Sequence, residues 1–108
     1  MRLLSWSLVL VVFFLPPQVR GDDVWKERAA AAVRTAEHEK TVDAYVDALE
    51  KVYRADDWQT GLRLARDAQK AFPNARKLHG VVARAYWRAG QIHAAERVAA
   101  QINPNTND

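Results

Sequence analysis

The chain has 108 residues, 49% of them hydrophobic, so it can form one domain with a hydrophobic core. Its formal net charge of +3 falls to +1 without residues 1–21, and so small a positive charge does not support a general nucleic-acid binder. The absence of cysteine excludes disulfides and an anchor on a lipid-modified N-terminal cysteine, so packing alone must hold the fold.

The N-terminal segment 1–21 has the layout of a secretory signal peptide. Arg2 supplies a positive charge, and two prolines end the unbroken apolar run 8–15. Val19 and Gly21 provide the short side chains of a cleavage site, although no Ala-x-Ala is present, and they predict cleavage after Gly21. The protein is therefore expected to be exported, to a periplasm or to the extracellular space.

An uncleaved membrane anchor is the main alternative for this segment, and a buried core segment is another. A membrane-spanning helix needs about 20 apolar residues. The run 3–15 covers only 13 and includes Ser5 and Ser7. Cleavage would leave no stable membrane span, and it would remove Arg2 and Arg20, which leaves 14 basic and 13 acidic residues and a net charge of +1.

Five helices are predicted after the signal, since no stretch alternates apolar and polar residues as a half-buried strand would. Asp22 and Asp23 suit the start of the first helix, where carboxylates meet the positive end of the helix dipole. Nothing that breaks a helix separates the first two, so they could also be continuous. The predicted spans are about 22–38 (within an N-terminal helical segment 22–40), 41–54, 58–71, 75–88 and 91–102.

Capping residues and apolar stripes support these helices. Asp56 and Asp57 offer an N-cap for the third helix, Asn74 offers one for the fourth, and Gly90 fits the C-terminal cap of the fourth. Apolar residues at helical spacing predict the buried face of the second and third helices. These residues are Val42, Tyr45, Ala48, Leu49 and Val52 in the second helix and Trp58, Leu62, Ala65 and Ala68 in the third.

The sequence pattern of these helices repeats along the chain. Large residues recur where a helix pair must fill space, and small residues recur where helices must approach closely. Matching positions are about 34 residues apart, a distance that we call the repeat period. This period, with two helices per unit, is typical of one class of helical repeat. The matching positions are Tyr45 with His79, Leu49 with Ala83, Val52 with Tyr86, Trp58 with Ile92, Gly61 with Ala95, Ala65 with Ala99 and Ala68 with Ile102.

These positions resemble the tetratricopeptide repeat. Residues 42–75 are similar to one repeat, with Tyr45 at the early aromatic position and Pro73 at the closing proline. Residues 76–104 are similar to a second repeat, in which the run 86–90 (YWRAG) matches the family's Y-x-x-x-G. The resemblance implies an all-α fold in which antiparallel helix pairs stack as a short right-handed solenoid.

The two repeats, within 41–105, depart from the family in two places. His79 stands where a large apolar residue is usual, and the Pro-Asn pair at 104–105 arrives three residues early, just before the polar tail 106–108. About three repeats are usually needed for stability. The segment 22–40 can cover one end of the stack. Either the fifth helix caps the other end, or the chain pairs with a copy of itself, or it is part of a longer protein.

The sequence offers no arrangement typical of an enzyme or of a metal site. His38 and Glu39 begin like the H-E-x-x-H zinc motif, but the second ligand position holds Val42. His79 and His93 have no third ligand nearby, and they are predicted to be a helix-packing and a surface histidine respectively. Without cysteine, a glycine-rich phosphate loop or a serine outside the signal, we expect no catalytic residue, no metal and no cofactor.

The resemblance implies a peptide-binding surface, because the first helix of each pair lines the concave face in that family. Lysine and arginine there could bind a ligand carboxylate, and Trp87 could provide an apolar platform. The alternative is an ordinary solvated, charged face. The lining positions are Asp43, Val46, Glu50, Tyr53 and Arg54, then Lys77, Gly80, Arg84, Trp87 and Arg88; the predicted peptide-binding residues are Lys77, Arg84, Trp87, Arg88, Tyr53 and Arg54.

Charge is distributed unevenly along the chain. Residues 22–58 hold 10 acids and 6 bases, whereas residues 59–108 hold 3 acids and 8 bases, which favours head-to-tail self-association. The predicted function is an exported adaptor that binds a protein or peptide partner with an acidic or C-terminal carboxylate segment. The alternatives are a targeting or docking segment of a longer envelope protein or enzyme, and a self-assembling structural protein.

Overall fold

The computed structural model of the protein describes residues 21–102, with side chains described from Asp23 onward. The predicted signal peptide, except Gly21, and the polar tail lie outside this range. Within it every regular element is a helix, so the predicted all-α fold class is confirmed. The helices are α1 (Gly21–Glu39), α2 (Val42–Arg54), α3 (Trp58–Ala71), α4 (Arg76–Arg88) and α5 (Ile92–Ala99).

Helices α1 and α2 are separate, because the chain turns at Lys40 without a glycine or a proline. Lys40 has a left-handed backbone with φ of 53°, and its N–H donates to the carbonyl of Ala36 at 2.8 Å. Thr41 then caps α2, since its hydroxyl oxygen accepts from the N–H of Ala44 at 3.2 Å. The possibility of one continuous helix is therefore excluded. The turn at Lys40 and the N-cap at Thr41 separate the two helices.

The helices pack in a regular order. Each helix contacts the next one along the chain, and α2 also contacts α4. One continuous core of small and medium apolar side chains runs through all these contacts, with Leu49, Leu64 and Leu78 its largest fully buried members. This order of contacts places α2 and α4 side by side, with α3 against both of them.

The turn inside each helix pair recurs after one repeat period with the same geometry. Residues 55–57 connect α2 to α3, and residues 89–91 connect α4 to α5. In both turns the middle residue is left-handed, with φ of 57° at Asp56 and 80° at Gly90. The three N–H groups of each turn donate to carbonyls four, three and five residues earlier in both cases. The sequence period is thus a structural period.

Burial follows the same period, except at the end of the chain's helical region. Most core positions of α2 and α3 have buried counterparts one repeat period later, among them Tyr45 with His79, Ala48 with Val82, Val52 with Tyr86, Gly61 with Ala95 and Leu64 with Val98. Ala65 and Ala68 are buried, whereas their counterparts Ala99 and Ile102 are exposed. Among the described residues, no helix follows α5 to cover them.

Three details of the predicted helices are wrong. Trp58 is 42% exposed at the start of α3 and not on the inner face, where Ala65 and Ala68 are buried and Leu62 is half-buried. Asn74 is not the cap of α4, because the N-cap is Ala75 and no side chain caps that helix. Helix α5 ends at Ala99, three residues before the predicted end.

Candidate functional site

The three predicted cations of α4 lie beside α2 and the turn after it, and the two outermost of them each contact a carboxylate of the preceding helix pair. The Nζ of Lys77 lies 3.5 Å from Oδ1 of Asp43, and the Nη2 of Arg88 lies 2.6 Å from Oδ1 of Asp56. Because both cations are already paired with carboxylates, they contribute less free positive charge to this face than their number suggests.

Arg84 is held differently, by an aromatic ring. Its guanidinium lies over the ring of Tyr53, 4.1 Å from the centroid, and Tyr53 remains 40% exposed. A guanidinium stacked on a ring keeps its N–H edges free for hydrogen bonds in the ring plane. The two predicted site residues therefore form one unit that joins α2 to α4.

A second stacked unit involves a helix that sequence reasoning did not include in the site. The guanidinium of Arg54 lies 4.9 Å from the ring centroid of Trp25 in α1, and that of Arg28 lies 5.3 Å from the same ring. Trp25 and Arg28 are three residues apart, so they share one helix face. That spacing is visible in the sequence, but the approach of Arg54 depends on the packing of α1 against α2.

Arg28, Arg54 and Arg84 are the cations of these two stacked units that no carboxylate neutralises. Among the residues that the structure describes, none of the three has a carboxylate oxygen within 4.0 Å, in contrast to Lys77 and Arg88. Each is exposed and oriented by an aromatic ring. We define Trp25, Arg28, Tyr53, Arg54 and Arg84 as the stacked-arginine face.

Trp87 lies apart from these stacks, on the outer side of α4. Its side chain is 63% exposed and lines a shallow apolar groove between α4 and α5. Ala83, Ala95 and Ala99 form the floor of the groove, with Arg84 and Glu96 on its rim. Trp87 is thus exposed, but it faces the end of the helix stack and not the stacked arginines. Gly80 leaves open space on the surface of α4.

The histidines and buried tyrosines have structural surroundings. His79 is 7% exposed and packs within the core, and His93 is exposed, as predicted. Burial raises the pKa of Tyr45 and of Tyr86 above the ordinary tyrosine value, and the hydroxyl of Tyr86 donates to Oε1 of Gln69 at 2.7 Å. Over residues 23–102, no three histidine or acidic side chains are grouped so that they could hold a metal ion.

Comparison with known proteins adds no relative. The chain matches no family model, no curated protein and no solved structure. In the described part of the chain, none of the helices combines the length and apolar character needed to cross a membrane.

Proposed function

We propose that this protein is an exported adaptor of the tetratricopeptide type that binds a carboxylate-bearing segment of a protein or peptide partner. The stacked-arginine face carries this proposal. It presents three exposed guanidiniums, those of Arg28, Arg54 and Arg84, that lack a carboxylate partner among the described residues and are already oriented by aromatic rings.

The repeat assignment is supported by three features that share one period. The sequence, the turn geometry and the pattern of burial all recur after the same interval along the chain. The order of helix contacts, with α2 against both α3 and α4, is that expected for stacked helix pairs. Export rests on the N-terminal sequence pattern alone.

Ring stacking lowers the entropic cost of binding a ligand. A free arginine side chain loses up to about 2 kcal/mol of rotamer entropy when it is fixed. Arg84 on Tyr53 and Arg54 on Trp25 have lost part of that freedom already, so a carboxylate can form paired hydrogen bonds to each guanidinium. Each exposed contact is worth about 1 kcal/mol or less, so a ligand must engage several cations at once.

A pull-down from the envelope fraction of the exporting cell tests this function. The bait is the exported protein, compared with the double variant Arg54→Glu/Arg84→Glu and with a control, Arg66→Glu/Arg97→Glu, that makes the same charge change on other exposed surface. A partner that the parent and the control retain and the first variant loses supports the stacked-arginine face. Equal retention by all three baits contradicts it.

A further inference from the structure

The outward side of α4 and α5 reproduces the surface on which α4 itself packs. Helix α4 packs against α2 and α3. Helix α5 follows α4 through the same kind of turn, and packs on it, as α3 does with α2. Residues that form the inner contact, such as Gly61, which faces Ala85, therefore have counterparts one repeat period later at the end of the stack. We call this second surface, formed by Ala83, Trp87, Ala95 and Ala99 with Lys77 and Arg84 beside them, the end seat.

The apolar residues of the end seat match those of the inner contact in position, and all but one match in size class: Ala83 is small where Leu49 is large and fully buried. Trp87 takes the place of Tyr53, and Ala95 takes the place of Gly61. Ala99 takes the place of the fully buried Ala65 but is itself exposed. The end seat therefore has the groove and the aromatic residue of a helix-binding surface, without a helix on it among the described residues.

The charges of the two surfaces are opposite. Helix α4 carries four basic residues and no acid, and it meets α2 at carboxylates, with Lys77 paired to Asp43. In the end seat the position of Asp43 is taken by Lys77, and that of Glu50 by Arg84. The inner contact presents carboxylates and binds the basic helix α4. The end seat presents cations at the same positions, so it favours an acidic helix.

We propose that the end seat binds an acidic amphipathic helix of a partner protein. The contact of α4 with α2 shows which side-chain spacing the partner helix needs. Lys77 pairs with Asp43, and Arg84, seven residues later, stacks on Tyr53. The partner helix accordingly carries a carboxylate opposite Lys77 and, seven residues later, a basic side chain that stacks on Trp87.

A second copy of the chain fits this surface less well. Stacked in the same order, a second copy would present α1, a helix that already covers α2 and whose outer side is mostly polar. Joined by their end seats, two copies would bring two basic α4 helices together. Like-charge juxtaposition opposes association in this second arrangement.

A designed peptide tests the proposal with the full chain. The probe is a fluorescently labelled 13-residue peptide with the sequence of α4 (Arg76–Arg88), in which Arg76, Lys77 and Arg88 are replaced by Glu and Arg84 is kept. The control peptide has the unchanged sequence. Fluorescence anisotropy is expected to show about tenfold tighter binding of the acidic peptide, a difference that corresponds to about 1.4 kcal/mol.

The variant Ala99→Glu distinguishes the end seat from the stacked-arginine face. It places a carboxylate in the groove and is expected to weaken binding of the acidic peptide about tenfold, whereas Ala100→Glu, the same change at the next exposed alanine, has no effect. Ala99→Glu leaves Arg54 and Arg84 intact, so partner capture by the stacked-arginine face survives if the end seat fails. Conversely, Arg54→Glu alone leaves every residue of the end seat unchanged, so binding of the acidic peptide is expected to survive it.

Three results would overturn the proposal. The first is that both peptides bind equally or not at all. The second is that Ala99→Glu binds the acidic peptide as the parent does. The third is sedimentation of the free chain as a dimer that Ala99→Glu dissociates, which would assign the end seat to a second copy.

Discussion

Three residues with left-handed backbone set the directions in which the helices of this protein leave their turns. Gly90 adopts this conformation without steric cost, whereas Lys40 and Asp56 carry a Cβ that the left-handed region disfavours by about 1–2 kcal/mol. The sequence predicted Gly90 correctly because glycine is the usual residue at this position. It did not predict Lys40, because only the packing of α1 on α2 requires a turn there.

Replacement of Lys40 by glycine is therefore expected to stabilise the protein. Lys40 is exposed, so relief of backbone strain should raise the free energy of unfolding by about 0.5–1 kcal/mol. The opposite change, Gly90→Ala, is expected to lower it by at least a similar amount. Urea unfolding followed by circular dichroism measures both, and a Lys40→Gly variant less stable than the parent would show that the turn is not strained.

Burial of two tyrosines makes stability depend on alkaline pH. The folded state holds the protons of Tyr45 and Tyr86 more tightly than the unfolded chain, whose tyrosine pKa is about 10. The two tyrosines contribute fully to the free energy of unfolding below about pH 10, and this contribution is lost as the pH rises through their folded-state pKa. The variant Tyr86→Phe is expected to melt at a lower temperature at pH 8, because the bond to Gln69 is lost, but to lose less stability than the parent between pH 9.5 and 11. Parallel losses in the two proteins would contradict the role of Tyr86.

At the scale of the element, sequence periodicity located five helices and their buried faces. Capping residues that act within a few residues of the chain, such as Asp57 at the start of α3, were recognisable from the sequence. The apolar spacing was misleading at Trp58. It predicts an inner position, but Trp58 is the first residue of α3 and lies at the edge of the contact with α2. Neither signal could reveal that Arg54 stacks on Trp25, since that contact depends on how α1 and α2 cross.

One pair of equivalent alanines tests the assignment of elements to a repeat. Ala65 is fully buried, and its counterpart Ala99, one repeat period later, is exposed at the end of the stack. Ala65→Glu buries an unpaired charge and is expected to cost about 3 kcal/mol or more. Ala99→Glu is expected to change the free energy of unfolding by no more than about 0.5 kcal/mol. Thermal melts of the two variants provide the measurement, and similar losses in both would mean that α5 does not end the stack.

At the scale of the whole molecule, charge is separated along the stack. Helices α1 and α2 contribute most of the acidic residues, whereas α4 is wholly basic in its charged side chains. The junction between them is where Lys77, Arg84 and Arg88 meet α2 and the turn after it, so the same cations that join the repeats also border the proposed ligand surface. Stability and binding are therefore coupled at this junction.

Salt is expected to weaken ligand binding because the ligand contacts are exposed charge pairs. The Debye length falls from about 10 Å at 0.1 M to about 3 Å at 1 M ionic strength. Affinity for an acidic peptide should therefore fall as sodium chloride rises between these values, while the helical circular dichroism signal stays unchanged. Isothermal titration calorimetry at several salt concentrations measures this dependence, and an affinity that does not change with salt would require an apolar site.

The most direct test of the binding function is an NMR titration of the ¹⁵N-labelled protein with a short peptide rich in aspartate and glutamate and with a free C-terminal carboxylate. The stacked-arginine face predicts that shifts concentrate on the amides around Trp25, Tyr53, Arg54 and Arg84, together with the guanidinium Nε–H signals of Arg54 and Arg84 and the indole N–H of Trp25. It also predicts that Arg54→Glu/Arg84→Glu abolishes the shifts while Arg66→Glu/Arg97→Glu preserves them. Shifts that are absent, or that spread over the outer surfaces of α3 and α5, would contradict the proposed function.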